Sequence, residues 1–302
     1  MKNPILNELI KLKLISKSNL MTLSNKTRDK KIKVIKDLKT KIIFLEKYIT
    51  NNDYYSSLKY KDDDRKALEK SKRKIANIKT FSGNIKTPII EDDYRRVNQF
   101  IKKLKNKDIL DFGCGWGGFL RNIKNYKSLS GVEVRKECIN FIKNNIKKVD
   151  VSDNINSFDK KFDIITMFHV LEHIPYQIET LKVLKSKLKN KGKIIIEVPH
   201  AEDFLILQGE LKEYKNFTFW SEHLVLHTYK SLKSILLKSG FKNVNIKYYQ
   251  RYNFSNHLGW FLKRKPGGHN FYKEIVSDKL NLSYCENLKK LGQTDTLIAI
   301  AD

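Results

Sequence analysis

The sequence predicts an α/β fold: a doubly wound, mainly parallel sheet that begins near residue 86, preceded by a basic extension of different character. Three observations carry this. From Glu91 onward, strand and helix signals alternate down the chain, as in a sheet covered by helices on both faces. Phe162–Phe168 and Gly192–Val198 are nearly continuous apolar runs, the mark of central strands buried on both sides. A glycine-rich turn, Gly113–Gly118, falls between a short strand and a helix, where a ligand can approach bare backbone.

Residues 1–85 form the extension. Ile5, Leu6, Leu9, Ile10 and Leu12 recur at helical spacing, which predicts a short basic amphipathic helix that packs on its own protein. Lys31–Ile35 alternates, Asp37–Thr40 supplies a turn and Lys41–Leu45 is apolar, which together predict a hairpin. Asn51–Asp53 and Asp62–Asp64 are loop signals, and Lys66–Lys79 reads as a basic helix. Beyond the extension, Asp92–Leu104 has helical periodicity with an acidic first turn, which suits the helix dipole. Asp108–Phe112 is a strand, Gly117–Lys124 a helix and Ser130–Val134 a strand, with a further helix to Lys147 and a brief strand at Val149–Ser152. After the buried strand Phe162–Phe168 come a helix at Ile178–Leu188 and the buried strand stopped by Pro199. Tyr229–Lys238 is a helix with Gly240 as its stop, and Asn243–Gln250 and Thr296–Ala301 are the last strands.

A length of 302 residues suits two domains or one decorated domain, and 40% hydrophobic residues exclude a disordered chain. No apolar run reaches the ~18 residues that span a bilayer. Three cysteines without a C-x-x-C pair argue against a disulfide scaffold and a cysteine zinc site. The lysine-interrupted start does not read as a secretory signal, so a cytoplasmic protein is expected. Sixty basic residues face 33 acidic ones, for a formal charge of +27. Only nine of the sixty are Arg, the preferred residue for bidentate phosphate recognition. The charge therefore reads as lysine-rich composition: no specific nucleic-acid partner and no membrane association are expected, and the oligomeric state stays open.

The main site signal is Asp111-Phe-Gly113-Cys114-Gly115-Trp-Gly117-Gly118. Its glycines also fit the dinucleotide pattern G-x-G-x-x-G. Asp111 and the third alternate glycine, Gly117, favour another cofactor, because a pyrophosphate gains little from a carboxylate. Glu133 lies 20 residues after Gly113; a carboxylate there accepts two ribose hydroxyls in either kind of site. With these residues, and with Phe168-His-Val-Leu-Glu-His-Ile-Pro175, the chain resembles the class I S-adenosylmethionine-dependent methyltransferases over about residues 90–302, and among them the sugar and quinone methyltransferases. The resemblance implies a Rossmann-like sheet of about seven strands with an antiparallel last strand. It also implies S-adenosylmethionine as cofactor, held by Asp111, Gly113, Cys114, Gly115 and Gly117, with Glu133 on the ribose, Asp150 or Ser152 against the adenine, and Phe168 and His169 near the sulfonium. His169 and His173, like His223 and His227, are four residues apart; a strand end and a loop flank them, so no metal is expected.

Trp220-Ser-Glu222-His223-Leu-Val-Leu-His-Thr228 resembles a stretch of the deoxysugar methyltransferases in which the histidine is the proposed base. Carried over, His223 is the base, Glu222 its orienting partner and His169 the next candidate. Trp220, Leu226 and His227 depart from that family's aromatic residues, which leaves the methylated atom open. The stretch 251–291, between the last two strands, mixes aromatics, amides and cations suited to a polar ligand; Arg251, Asn256, His257 and His269, with Trp220, are the substrate candidates. The two domains expected are thus residues 1–85 and a methyltransferase domain, 86–302, with an insertion at 251–291. The expected function is transfer of a methyl group to a hydroxyl or carbon of a nucleotide- or glycan-linked sugar in bacterial cell-surface polysaccharide synthesis. An RNA methyltransferase, suggested by charge, is the alternative, although the fourth strand lacks an N-P-P-[YF] motif. An inactive membrane-surface scaffold is the third reading.

Overall fold

The structure, a computed structural model, describes residues 3–48, 75–80, 83–88, 91–208 and 211–302. Its strands are β1 (Leu20–Ser24), β2 (Val34–Asp37), β3 (Ile43–Leu45), β4 (Ile75–Thr80), β5 (Gly83–Pro88), β6 (Asp108–Phe112), β7 (Ser128–Val132), β8 (Val149–Ser152), β9 (Phe162–Phe168), β10 (Leu188–Pro199), β11 (Val225–Leu226), β12 (Asn245–Tyr249) and β13 (Thr296–Ala301). Seven of them form one sheet in the order β12-β13-β10-β9-β6-β7-β8. Strands β6–β7, β6–β9 and β7–β8 pair in parallel, and β13 runs antiparallel to β12. This is the Rossmann-like sheet with an antiparallel last strand that the sequence implied.

The chain divides into two compact units. One comprises residues 50–168 and 184–195, the other 1–49, 169–183 and 196–302. In the first, Ile109, Leu110, Leu129, Ile164, Ile165 and Ile194 are buried along the central strands. The helix Glu91–Leu104 presents Asp93, Arg96, Val97, Phe100 and Leu104 as its buried face, the i, i+3/i+4, i+7 stripe of an amphipathic helix.

The second unit cuts across the 85/86 boundary expected from composition. The predicted hairpin is present: Val34 pairs with Leu45 and Ile35 with Phe44. Its turn is closed by Asp37, whose Oδ1 accepts from Lys39 N, Thr40 N and Thr40 Oγ1. Strand β1 adds on one side and β11 on the other, Val225 opposite Phe44. The extension is therefore three strands of a sheet whose fourth comes from the far half of the chain. Ile32, Val34, Ile43 and Leu45 share a core with Leu205, Tyr214, Phe219, Leu226 and Trp260. Asn3 Nδ2 donates to both Leu45 O and Leu224 O, and Asp29 accepts from Ser221 N. Composition follows solvated surface and missed this, because the strands' inward residues are few. The helix Ile5–Lys11 buries Ile5 and Leu9 within the protein.

The basic helix expected at Lys66–Lys79 is corrected where the structure describes it. Ile75–Thr80 is a strand paired antiparallel to Gly83–Pro88, with Ile78 opposite Ile85; β-branched Ile and Thr favour the pleated form over a helix. Residues 66–74, and the loop signals at 51–53 and 62–64, lie outside the described residues. The 251–291 stretch contains two helices, Phe254–Lys263 and Asp278–Leu291. Among the described residues, no helix is long and apolar enough to cross a membrane.

Candidate active site

Strand β6 delivers Asp111 to the glycine turn. Gly113 N and Cys114 N both donate to Val132 O, at 2.8 and 3.0 Å, and tie the turn to the end of β7. Gly115 N donates to Glu133 Oε2 at 2.8 Å, while Arg135 N and Nε donate to Glu133 Oε1 at 3.0 and 3.2 Å. The nearly buried Glu133 carboxylate is thereby fixed at the turn. Gly115 and Gly117 sit at φ +54° and +72°, a region costly for side-chain-bearing residues. A Cβ on Gly118 would stand 2.0 Å from Asp93 Oδ2. Cys114 is buried, its sulfur packed against Gly131, so its backbone rather than its thiol faces the turn's bonding groups.

Two carboxyls beneath the turn are strongly perturbed. Burial raises Asp111 to about 7, against the hydrogen bond it accepts from Thr166 Oγ1 at 2.7 Å. Burial raises Asp93 to about 6, against the pull of Arg96 and Arg121. The Arg96 guanidinium lies 4.7 Å from the centroid of Phe168, which also meets Phe100 and Phe119 ring to ring. Phe168 is thus a packed wall. Asp93, Arg96 and Arg135 lie around the turn and its flanking Phe168, and sequence reasoning missed them. A signal for the first two existed: they are charged residues on the apolar stripe of their helix, where a charge needs a reason.

Asp150 requires correction. It sits mid-strand opposite Ser130, its side chain exposed. It lines a cavity with Tyr126, Lys127, Lys148 and Lys160, beside the start of β7 rather than its glycine-turn end. Ser152 is the residue level with the turn, its carbonyl accepting from Glu133 N at 3.0 Å, and Asp153 follows it. A strand's carboxyl end decides which residue reaches a ligand, and two residues along a strand displace a side chain by nearly 7 Å.

The second unit holds a different group. His169 takes the left-handed backbone, φ +54°, a strained state for a residue with a side chain. Its Nδ1 is 3.1 Å from Glu172 Oε1; its Nε2 is 3.2 Å from Glu197 Oε1 and 2.9 Å from Arg251 Nη1. When protonated, the ring donates to both carboxylates; when neutral at Nε2, it accepts from Arg251. Burial and the Arg251 charge push its pKa down, and the hydrogen bonds to Glu172 and Glu197 outweigh them, so the net shift is upward. Arg251, expected to meet substrate, is thereby joined to His169.

Glu172 is fully buried on the 3-10 turn Leu171–His173, and its carbonyl accepts from Leu224 N at 2.8 Å. That bond brings His173 to His223, ring centroids 5.0 Å apart and edge to face. Ligand atoms of Glu172, His173 and His223 all lie within 4.8 Å of one another. Burial, with His173 alongside, lowers His223 to about 3 despite Glu172, so its imidazole is neutral. The carboxylate in this cluster is Glu172; Glu222, the expected partner, is half-buried and not among the three.

The remaining expectations divide. Trp220 stacks under the Arg28 guanidinium, 4.2 Å from its ring centroid. His257 and Asn256 are corrected: both are buried inside the fold. His257 Nε2 accepts from Gln250 Nε2 at 3.2 Å, Nδ1–H donates to the Tyr284 hydroxyl at 2.7 Å, and the ring stacks on Phe204. Polar residues on an amphipathic helix need not face solvent when a second helix supplies partners. His269 is exposed beside Tyr252. His227 is locked, Nε2 2.9 Å from Gln177 Oε1 and Nδ1 3.1 Å from Ser231 Oγ.

Residues 86–246 match a family profile described as a methyltransferase domain. A tRNA U34 carboxymethyltransferase of Nautilia profundicola is 33% identical over 154 residues, 47% of this chain and 49% of that protein. A ubiquinone biosynthesis O-methyltransferase of Coxiella burnetii is 32% identical over 101 residues, 30% of this chain and 43% of that one. A SAM-dependent methyltransferase structure from Archaeoglobus fulgidus aligns with 68% of this chain and 91% of its own, at 24% identity and a TM-score of 0.46. The chain spans about half the length of the curated relatives it matches.

Proposed function

We propose that this chain, which belongs to the methyltransferase-domain family, is an S-adenosylmethionine-dependent enzyme that methylates an oxygen of a small polar acceptor, a sugar hydroxyl on a nucleotide or glycan carrier. The residues around the glycine turn fit the cofactor. The backbone there is bare of side chains, and the Glu133 carboxylate is held beside it; it accepts from Gly115 N, Arg135 N and the Arg135 guanidinium, and the guanidinium must swing away for two ribose hydroxyls to take its place. When bound, S-adenosylmethionine supplies an electrophilic methyl group on a sulfonium. The backbone N–H groups of Gly115 and Arg135 fix the orientation of Glu133, one on each oxygen, so the ribose meets a preset acceptor pair. Asp93 and Arg96, buried near the turn, offer opposite charges suited to the amino and carboxylate groups of the methionine portion.

One observation carries the acceptor reading: a neutral imidazole, His223, clustered with an ionised buried carboxylate, Glu172. A hydroxyl loses its proton as it is methylated, and a group that titrates near neutrality speeds that step. His223, lowered by burial to about 3, is too weak a base for it; the Glu172–His173–His223 cluster and the His169–Arg251–Glu197 network instead supply donors and acceptors for a polar partner. The sugar assignment rests on the Phe168–Pro175 stretch and on these polar groups. The similarity to a tRNA-modifying enzyme, with the charge of +27, supports RNA as the second reading. The test is a labelled-cofactor screen of nucleotide sugars, quinols and tRNA, read by mass shift and product NMR. Methylation of tRNA or a quinol, with every sugar silent, would replace the sugar assignment.

A further inference from the structure

We propose that Glu172, His173 and His223 form a binding site for one divalent transition-metal ion that prefers nitrogen and oxygen ligands, Zn²⁺ foremost, with a coordination position left open for water or another oxygen ligand. The sequence led to the opposite expectation, because its histidine pairs at four-residue spacing do not lie on helices. The structure unites one member of each pair: His173 follows the buried Glu172 on a 3-10 turn, and His223 arrives from a loop some fifty residues later.

The geometry supports the assignment in three ways. The three ligand atoms lie within 4.8 Å of one another; small imidazole rotations bring such a set to the roughly 3.3 Å spacing of a tetrahedral ion with bonds of about 2.0–2.1 Å. Two buried polar atoms there have no hydrogen-bond partner, Glu172 Oε2 and His173 Nδ1. Buried polar atoms are rarely left so, and a buried carboxylate is costly unless paired or coordinated to a metal. Glu172 is fully buried, and its other oxygen is already engaged by His169.

The surroundings also resemble a metal site's outer shell. His169 holds Glu172 Oε1 and is itself held by Glu197 and Arg251, the kind of support that orients ligands. Backbone bonds fix both arms: Leu224 N to Glu172 O, His173 N to Val170 O at 3.0 Å, and His223 N to Trp220 O at 3.3 Å. Two imidazoles and one carboxylate make three protein ligands, the count of zinc sites that keep an exchangeable fourth position. With the ion bound, the lone pair of His223 is occupied, so His223 serves as a ligand and not as a base. The proposal rests on the methyltransferase reading only for what the open position would serve.

The experiment is calorimetric titration of chelator-stripped full-length protein with Zn²⁺, Mn²⁺ and Mg²⁺, with Co²⁺ absorption as a coordination readout. We expect one equivalent of Zn²⁺ to bind with micromolar or tighter affinity, and Co²⁺ to show the visible bands of a nitrogen- and oxygen-bound ion. His173→Gln and His223→Gln should each weaken Zn²⁺ at least tenfold without lowering the melting temperature of the stripped protein. If one variant fails to fold, the other carries the comparison. Absence of one-equivalent binding by all three ions, or Zn²⁺ binding untouched in the folded variant, would overturn the site. S-adenosylhomocysteine titrated into the same stripped sample separates the two ideas: its binding without Zn²⁺ binding sinks the metal site and leaves the methyltransferase reading standing.

Discussion

The backbone N–H of Gly115 donates to Glu133 Oε2 at 2.8 Å, so the glycine turn and the Glu133 carboxylate are one device. Neither can shift without the other, and Arg135 grips the second oxygen.

Removing that carboxylate should therefore cost cofactor binding twice over, through lost ribose bonds and a loosened turn. Hydrogen bonds to a charged group contribute about 1.5–3 kcal/mol, so Glu133→Ala should weaken S-adenosylhomocysteine by roughly 10–100-fold. Calorimetry checks this, with NADH as a ligand expected not to bind. Unchanged affinity in Glu133→Ala would refute the ribose assignment.

Gly118→Ala tests the close approach of Asp93. The new methyl would meet Asp93 Oδ2 at 2.0 Å, and overpacking of this kind costs about 1–3 kcal/mol. The same substitution in an Asp93→Ala background should be far milder. A double-mutant cycle by urea denaturation measures the coupling. Equal costs in both backgrounds would show that Asp93 is not what excludes the side chain.

Asp111 predicts a pH dependence with a definite sign. Its folded-state pKa of about 7 lies above the ordinary carboxyl value of 3.8, chiefly through burial, with Asp93 and Glu133 adding and Thr166 and Arg96 opposing. Between those values the folded protein keeps a proton that the unfolded chain has released. The contribution is thus fully present below about pH 4 and is lost as pH rises through about 7, by at most about 1.4 kcal/mol per pH unit. Asp111→Asn should flatten this part of the stability profile; Asp203, also raised to about 7 by burial, keeps its own share. Urea midpoints across that range, wild type against variant, decide it. Parallel profiles would contradict the buried, protonated carboxyl.

The basic surface gives a prediction about RNA. Attraction through scattered lysines is a counterion effect and falls steeply with salt. Binding to tRNA should be detectable at low ionic strength and vanish near physiological salt. Tight, structure-selective binding that persists there would promote the RNA reading over the sugar one.

The glycine turn, Glu133 and all seven strands of the main sheet were legible because each depends on local pattern: alternation, apolar runs and residues that permit a turn. Strands β6, β8, β9 and β13 lie where the sequence placed them. What stayed hidden depends on long-range pairing. Asp150 and Ser152 differ only in how far along β8 they lie, and His173 meets His223 through the Leu224–Glu172 backbone bond. Asn256 and His257 looked available because their partners Gly268 and Tyr284 come from later turns of chain. Asp93 and Arg96 were legible in principle, as charges on an apolar stripe.

The sheet that joins β3 to β11 bears on synthesis. Phe44 pairs with Val225, about 180 residues later, so β1–β3 leave the ribosome well before their fourth strand exists. At about 5–20 residues per second, the wait is on the order of 10–40 s. During it β3 is an unpaired edge, and Val34, Ile43 and Leu45 lack the Leu226 and Trp260 side of their core. The lysines interspersed through residues 26–41 keep that waiting segment charged and guard it against pairing with another nascent chain.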